Sequence, residues 1–504
     1  MKHLYFSLLL FFGIISISHA QDLIAAKIID SITQNPIPYA TISLNNTSGV
    51  ISNDFGVFHL NIQKKFTKTD SLFISCLGYE TKQLSIKSVT DSIISLSPKS
   101  IDLDEVLISN KNYSIAEIID FIKDRLPTNY SHDPQKSKLF FRQSYHSNIA
   151  KNNVAIEKTT IPEFNQNFID SILRVLPKKS SNYTEILGVL YKNNDADTIS
   201  KLDIIKASEL YDKNNEIDSE KLEEKFNAIA RKHIKRDSYF KIKSGWFGTK
   251  TEIDSSLFET PEEKESVAYL EAKKKKEKER KENFLKYRKR TISNLENRGF
   301  LNEDSNLNII HKSNRYEFEL LDYAFLNGNF VYKIAFKPKR GEDYKGTMYV
   351  NTDDFAIIRL DYENVKALRD FSLLGVSVNH YLQRGTIIYE KNKADTYALK
   401  YFEIVDGEHV GIKRPLKIIE KNKNVKGRRK QNEVSANINL KITNINKKEL
   451  VVFENDNITK ETFNNFKEKA AIKPTYLPHY DPDFWKGYNV IEPNQAIKDF
   501  KSIE

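Results

Sequence analysis

Between residues 39 and 76, apolar and polar side chains alternate in short runs. Ala40, Ile42 and Leu44 alternate with Tyr39, Thr41 and Ser43; Phe58, Leu60 and Ile62 alternate with Val57, His59 and Asn61; Leu72, Ile74 and Cys76 alternate with Phe73 and Ser75. A period of two marks half-buried strands. Asn35-Pro36-Ile37-Pro38, Asn53-Asp54-Phe55-Gly56 and Leu77-Gly78-Tyr79 punctuate them as turns. Short strands at this spacing over residues 21–109 predict a small β-sandwich. By parity Cys76 faces its core and His59 faces solvent. Asp54-Phe55-Gly56 lacks the alternating carboxylates and closing Glu of a calcium loop and reads as a tight turn.

Beyond residue 110 the period changes twice. Ser114 and Glu117 form a capping box before Ile115, Ile118, Ile119, Ile122 and Leu126, and Pro127 ends that helix. Leu139, Phe141 and Tyr145 then alternate with Phe140, Arg142 and Ser144, completing a first piece, 110–160, of an α+β domain. Residues 161–300 read as a charged helical insert. Phe164, Phe168, Ile169 and Ile172 share a face, Leu222, Phe226 and Ile229 another, and Lys273 to Glu282 is charged throughout. Acidic residues interrupt that run, so it reads as a solvated helix. Over 301–455 strands return: Tyr316, Phe318 and Leu320; Phe330, Tyr332, Ile334 and Phe336 after the Asn327-Gly328 hairpin signal; Met348 and Val350; Ala356, Ile358 and Leu360; Tyr397, Leu399 and Tyr401 before an Asp406-Gly407 turn. Val434 to Ile442 gives the longest run. This predicts a curved antiparallel sheet whose apolar face meets the 115–126 helix, either as a filled core or as an open groove. Residues 456–504, with Tyr476, Tyr480, Trp485 and Tyr488 among prolines, read as a C-terminal strap.

Two stretches resemble known families. Ile28-Ile29-Asp30, Asn35 to Ile42, Asn53 to Phe58, Leu72 to Glu80 and Leu103-Asp104-Glu105-Val106-Leu107-Ile108 stand in the order of the carboxypeptidase regulatory-like domain. That transthyretin-like sandwich is common in exported proteins of Gram-negative bacteria. Tyr344 to Val350, followed by Asp353 to Leu360, resembles the outer-membrane lipoprotein-carrier fold, which implies a half-barrel with an apolar concave face.

The first twenty residues add an address. A basic start at Lys2-His3, an apolar run from Leu4 to Ile17 and small residues at Ser18 and Ala20 predict a signal peptide cut before Gln21. The run falls short of the ~20 residues that span a bilayer. The formal net charge is +10, and the single Cys excludes an intrachain disulfide framework. Candidate chemistry is sparse. No His starts an H-x-x-E or H-E-x-x-H, and neither a G-x-S-x-G elbow nor a phosphate loop occurs. Catalytic, cofactor-binding and metal-binding residues are therefore not assigned, and no cofactor is expected.

Lys426, Arg428, Arg429 and Lys430 form a basic hairpin tip suited to an anionic surface. The expectation is an exported, non-enzymatic binding or scaffolding protein of the periplasm or outer-membrane surface. Its partner classes are an envelope protein or an anionic lipid surface, and not nucleic acid. The alternatives are an envelope hydrolase with an unrecognised site, or a relative of TonB-dependent receptors lacking the transport barrel.

Overall fold

The computed structural model describes residues 22–45, 48–62, 67, 69–86, 89, 92–99, 113–131, 133–193, 200–253, 267–327, 329–426, 429–469 and 472–502. The segments read as a signal peptide and as the closing Leu103–Ile108 motif lie outside them. The chain is mostly β and divides into two units. The first comprises Met1–Cys76, Glu80–Pro98 and Pro482–Glu492; the second comprises Leu77–Tyr79, Lys99–Asp481 and Pro493–Glu504.

Unit one carries β1 (Asp22–Asp30), β2 (Thr41–Leu44), β3 (Ser48–Ile51), β4 (Val57–Ile62), β5 (Ser71–Ser75), β6 (Lys82–Ser85) and β7 (Ile93–Leu96). They form two sheets, β4-β1-β7 and β3-β2-β5-β6. The alternation seen in the sequence sets their burial: Ile42, Phe58, Leu60, Leu72 and Ile74 are buried, and Cys76 is buried with them. In the turn before β4, the Asn53 side-chain Oδ1 accepts from the backbone N–H of Phe55 at 2.9 Å and of Val57 at 3.0 Å. His59 departs from expectation: its Nδ1 lies 2.7 Å from a Glu492 oxygen.

Glu492 belongs to the returning segment Pro482–Glu492, which completes this unit from near the other end of the chain. Asn61 is its main anchor. Its backbone N–H donates to Asn489 at 2.7 Å and its side-chain amide donates to the Tyr488 carbonyl at 2.6 Å. Trp485 and Ile491 are buried. The expected single strap over 456–504 is thus shared out, because its aromatics have cores to fill in both units. Replacing Asn61 with Ala should lower the stability of unit one by about 1–2 kcal/mol, the worth of an amide hydrogen bond whose partner is left unsatisfied. Urea unfolding in a Trp246→Phe background, followed by Trp485 emission, measures this, and an unchanged midpoint would show that the segment is not held there.

Unit two opens with α1 (Ile115–Asn129), β8 (Gln135–Thr159), α2 (Gln166–Val175), β9 (Lys179–Lys192), β10 (Ser200–Leu210) and α3 (Asn214–His233). It continues with β11 (Ser238–Ser244), β12 (Phe247–Glu252), α4 (Val267–Asn297), β13 (Tyr316–Leu326), β14 (Asn329–Pro338), β15 (Tyr344–Asn351) and β16 (Ile357–Asn364). It closes with β17 (Arg369–Leu373), β18 (Val376–Lys391), β19 (Tyr397–Asn422), β20 (Lys430–Asn457), α5 (Lys460–Asn465), β21 (Thr475–Leu477) and α6 (Gln495–Lys498). One fourteen-stranded sheet runs β13-β14-β15-β16-β18-β19-β20-β8-β9-β10-β21, with β11, β12 and β17 off that path. Every pair is antiparallel except β10 with β21.

Three expectations need correcting here. Residues 161–300 hold helices but also β9 to β12, so the sheet is not confined to 110–160 and 301–455. β9 escaped notice because Ile186, Leu187 and Leu190 are buried on both faces, which erases the period of two. Asp406-Gly407 is no turn but lies inside the 26-residue β19. Asp406 is held by ion pairs there, and Gly407 is a close approach, since a Cβ would come within 2.8 Å of the Tyr381 ring. The helix begins at the expected box, with the Glu117 carboxylate accepting from the Ser114 N–H at 2.7 Å, but it runs through Pro127 to Asn129.

Two neighbouring rows across the sheet show how it is built. Ile334, Met348, Leu360, Ile387, Phe402, Leu450, Phe141, Ile186 and Ala207 stand in register on successive strands. All are buried in one core with Ile118, Ile119 and Ile122 of α1, Ile292 and Leu295 of α4, and Phe300. This apolar face is filled by the chain's own residues, including those of the stretches that resemble the lipoprotein carrier. One residue along, on the opposite face, Asp361, Thr386, Glu403, Glu449, Arg142, Glu185 and Ser208 form a polar row.

Candidate functional site

One buried and one half-buried ion cluster and two exposed hairpin edges are the places where chemistry could reside. The first cluster lies in the polar row. Arg142 and Glu185 are side by side and about 99% buried, with 2.7 Å between guanidinium and carboxylate. Ser208 donates to the other Glu185 oxygen at 3.3 Å, and Lys447 bridges Glu403 at 2.9 Å and Glu449 at 3.2 Å. Burial pulls the Arg142 pKa down, but Glu185 and Glu449 outweigh it and leave it above the usual value.

Asp406 centres the second cluster. Arg298 donates to both its oxygens at 2.8 and 3.1 Å, Lys448 lies at 3.2 Å and Gln383 donates at 2.8 Å. His380 lies 3.5 Å away, and Tyr344 donates to Gln383 from behind. Burial raises the Asp406 carboxyl, yet the Arg298 hydrogen bonds and charge, with Lys448, overcome that and hold its pKa at about 2. A general base works best with a pKa near the operating pH. A carboxylate held this low by two cations is a weak proton acceptor near neutral pH and is well placed to anchor Arg298 and Lys448. Among the described residues no group of three or more His, Cys, Asp or Glu is placed to hold a metal ion.

The predicted basic tip is the turn between β19 and β20. Lys426 and Arg429 are exposed, and the Arg429 carbonyl accepts the Asn422 N–H at 3.0 Å. Arg428 lies outside the described residues. Lys430 is half-buried and paired with Glu433, which also takes Lys417 at 2.9 Å. Those two lysines hold the Glu433 carboxyl down at about 2. Lys430 is therefore committed to the sheet, and the tip does not present its four predicted residues as one free patch.

A second exposed edge lies along the same β19 strand. β19 pairs with β18 as far as Ile412 and with β11 from Lys417 onwards. In the gap, 413–416, the turn of the β17–β18 hairpin meets the turn of the β11–β12 hairpin. The Lys413 N–H donates to Gly375 at 2.6 Å, and Arg414 donates to the Ser244 carbonyl at 2.6 Å while lying 5.5 Å from the Phe247 ring centre. At these turns Trp246, Phe247, Leu373 and Leu374 are exposed, Trp246 completely. Sequence reasoning passed over all four. The signal available was Ser244-Gly245-Trp246-Phe247-Gly248, a glycine-flanked aromatic pair between two strand-like runs.

Residues 24–108 match the family described as CarboxypepD_reg-like domain. No curated protein matches the chain. Among solved structures, one described as the complex structure of Pseudomonas aeruginosa MucA/MucB is similar at 5% identity, over 66% of this chain and 92% of that one. Its TM-score of 0.14 is too low to carry an argument.

Proposed function

We propose that the protein is exported to the Gram-negative envelope and acts there by binding or scaffolding at a periplasmic or outer-membrane surface, without catalysing a reaction. The observation that carries this reading is the CarboxypepD_reg-like domain at residues 24–108, a module whose resemblance implies an exported protein. The leader pattern at 1–20 agrees with it, as does the use of both ion clusters as internal anchors. In the same reading the two sheets of unit one make a transthyretin-like sandwich, and the large sheet of unit two curves around α1. Its partner is an envelope protein or an anionic lipid surface.

Fractionation of cells making the full chain, with mass determination of the product, tests the reading. The mature chain should begin at Gln21 and appear in the envelope fraction. A chain that retains Met1 and stays in the cytoplasm would overturn it.

A further inference from the structure

Leu374 is costly where it stands. It sits at φ 50° and Gly375 at φ 78°, the two central residues of a two-residue hairpin loop between paired Leu373 and Val376. Such loops take Asn, Asp or Gly, because a side chain with a Cβ is strained in the left-handed region. Leu374 is 58% exposed, so burial does not compensate the strain. The facing hairpin also carries an apolar side chain in its loop: Gly245 takes the positive φ, at 59°, and Trp246 beside it is exposed in full. Both turns converge on Arg414.

Charge surrounds these apolar tips. Segments 241–248, 369–376 and 411–417 contain Lys241, Lys243, Arg369, Lys413 and Arg414 against the single acid Asp370, with Lys417 set aside because it pairs with Glu433. Trp and Phe tips within a basic rim match the interface of an anionic bilayer: amphipathic rings sit at headgroup depth while lysine and arginine meet the lipid phosphates.

We propose that the two hairpin turns, through Trp246, Phe247, Leu373 and Leu374, insert into the headgroup layer of an anionic membrane. This rests on the surface-binding reading above and moves the contact from the 426–430 turn to the 413–416 gap.

The chain has two tryptophans, and the other, Trp485, is buried. A full-length Trp485→Phe protein therefore reports on Trp246 alone. With phosphatidylglycerol vesicles its emission should shift to the blue and be quenched by lipids brominated near the headgroup. Phosphatidylcholine vesicles should have little effect, and salt should weaken the binding. The pair Trp246→Ser/Phe247→Ser should bind at least about tenfold less tightly, since each large apolar side chain contributes substantially on leaving water. Leu374→Asn separates this from a structural role: Asn suits the positive φ, so the melting temperature should hold or rise while vesicle affinity falls. Absence of a shift and of quenching in a folded protein would overturn the proposal and favour a protein partner. Vesicle binding that survives the tip variants but is lost on neutralising Lys426, Arg428 and Arg429 would also overturn it, while leaving surface binding intact.

Discussion

Replacing Arg142 with Ala is expected to destabilise unit two by about 3–5 kcal/mol, because it leaves a carboxylate buried without its counter-charge. Glu185 loses its guanidinium partner and keeps the long bond from Ser208, at 3.3 Å. Glu449, next in register across the sheet, loses the same cation. Arg142 also lies 5.2 Å from the Phe140 ring centre, so the truncation removes packing as well as charge. Replacing the pair together, as Arg142→Met with Glu185→Leu, should cost much less, since apolar residues of similar volume are tolerated where an unpaired charge is not. Chemical denaturation of the two single variants and the double closes the cycle. Single variants that lose less than the double would sink the idea that these two charges are coupled.

Asp406→Asn should cost about 2–4 kcal/mol by leaving Arg298 and Lys448 facing a neutral amide. It also carries a pH signature. The folded Asp406 pKa, at about 2, is depressed below the ordinary 3.8, so the unfolded chain takes up the proton first as pH falls. The stability contributed by the ion pairs is complete above about pH 4 and is lost as pH drops towards 2. The size of the shift makes this about 2 kcal/mol. Over that window the Asp406→Asn protein should lose correspondingly less stability than the parent. Parallel acid limbs in the two proteins would show that the carboxylate is not the group titrating.

The contrast between what the sequence disclosed and what it hid follows burial. Strands with one wet face, such as β4 with Phe58, Leu60 and Ile62 inward, were legible by alternation, and so was α1, whose capping box and apolar spacing are local signals. β9 and the middle of β19 were not, because both faces are covered and polar positions such as Glu185 and Glu403 are buried and Asp406 is half-buried, with partners far along the chain. Arg142 looked like a solvent-facing residue for the same reason. The hairpin turns at Trp246 and Leu374 went unread because strand pairing to β19 alone brings them together, and they are about 130 positions apart in sequence. The basic turn was visible as composition, while the commitment of Lys430 to Glu433 was not.

The segment Pro482–Glu492 has a consequence for the birth of the molecule. The partners of Asn61 lie 427 and 428 positions downstream. A chain made N-terminus first, at about 5–20 residues per second, exposes the seven short strands roughly 20–90 s before their last partner exists. During that interval unit one is an unfinished object with an uncovered patch, open to chaperones and to wrong pairings, and its maturation is timed by the synthesis of Pro482–Glu492. The dependence persists in the finished protein: a protease that trims the C-terminus back past Pro482 would loosen the N-terminal module while leaving every residue of its strands intact.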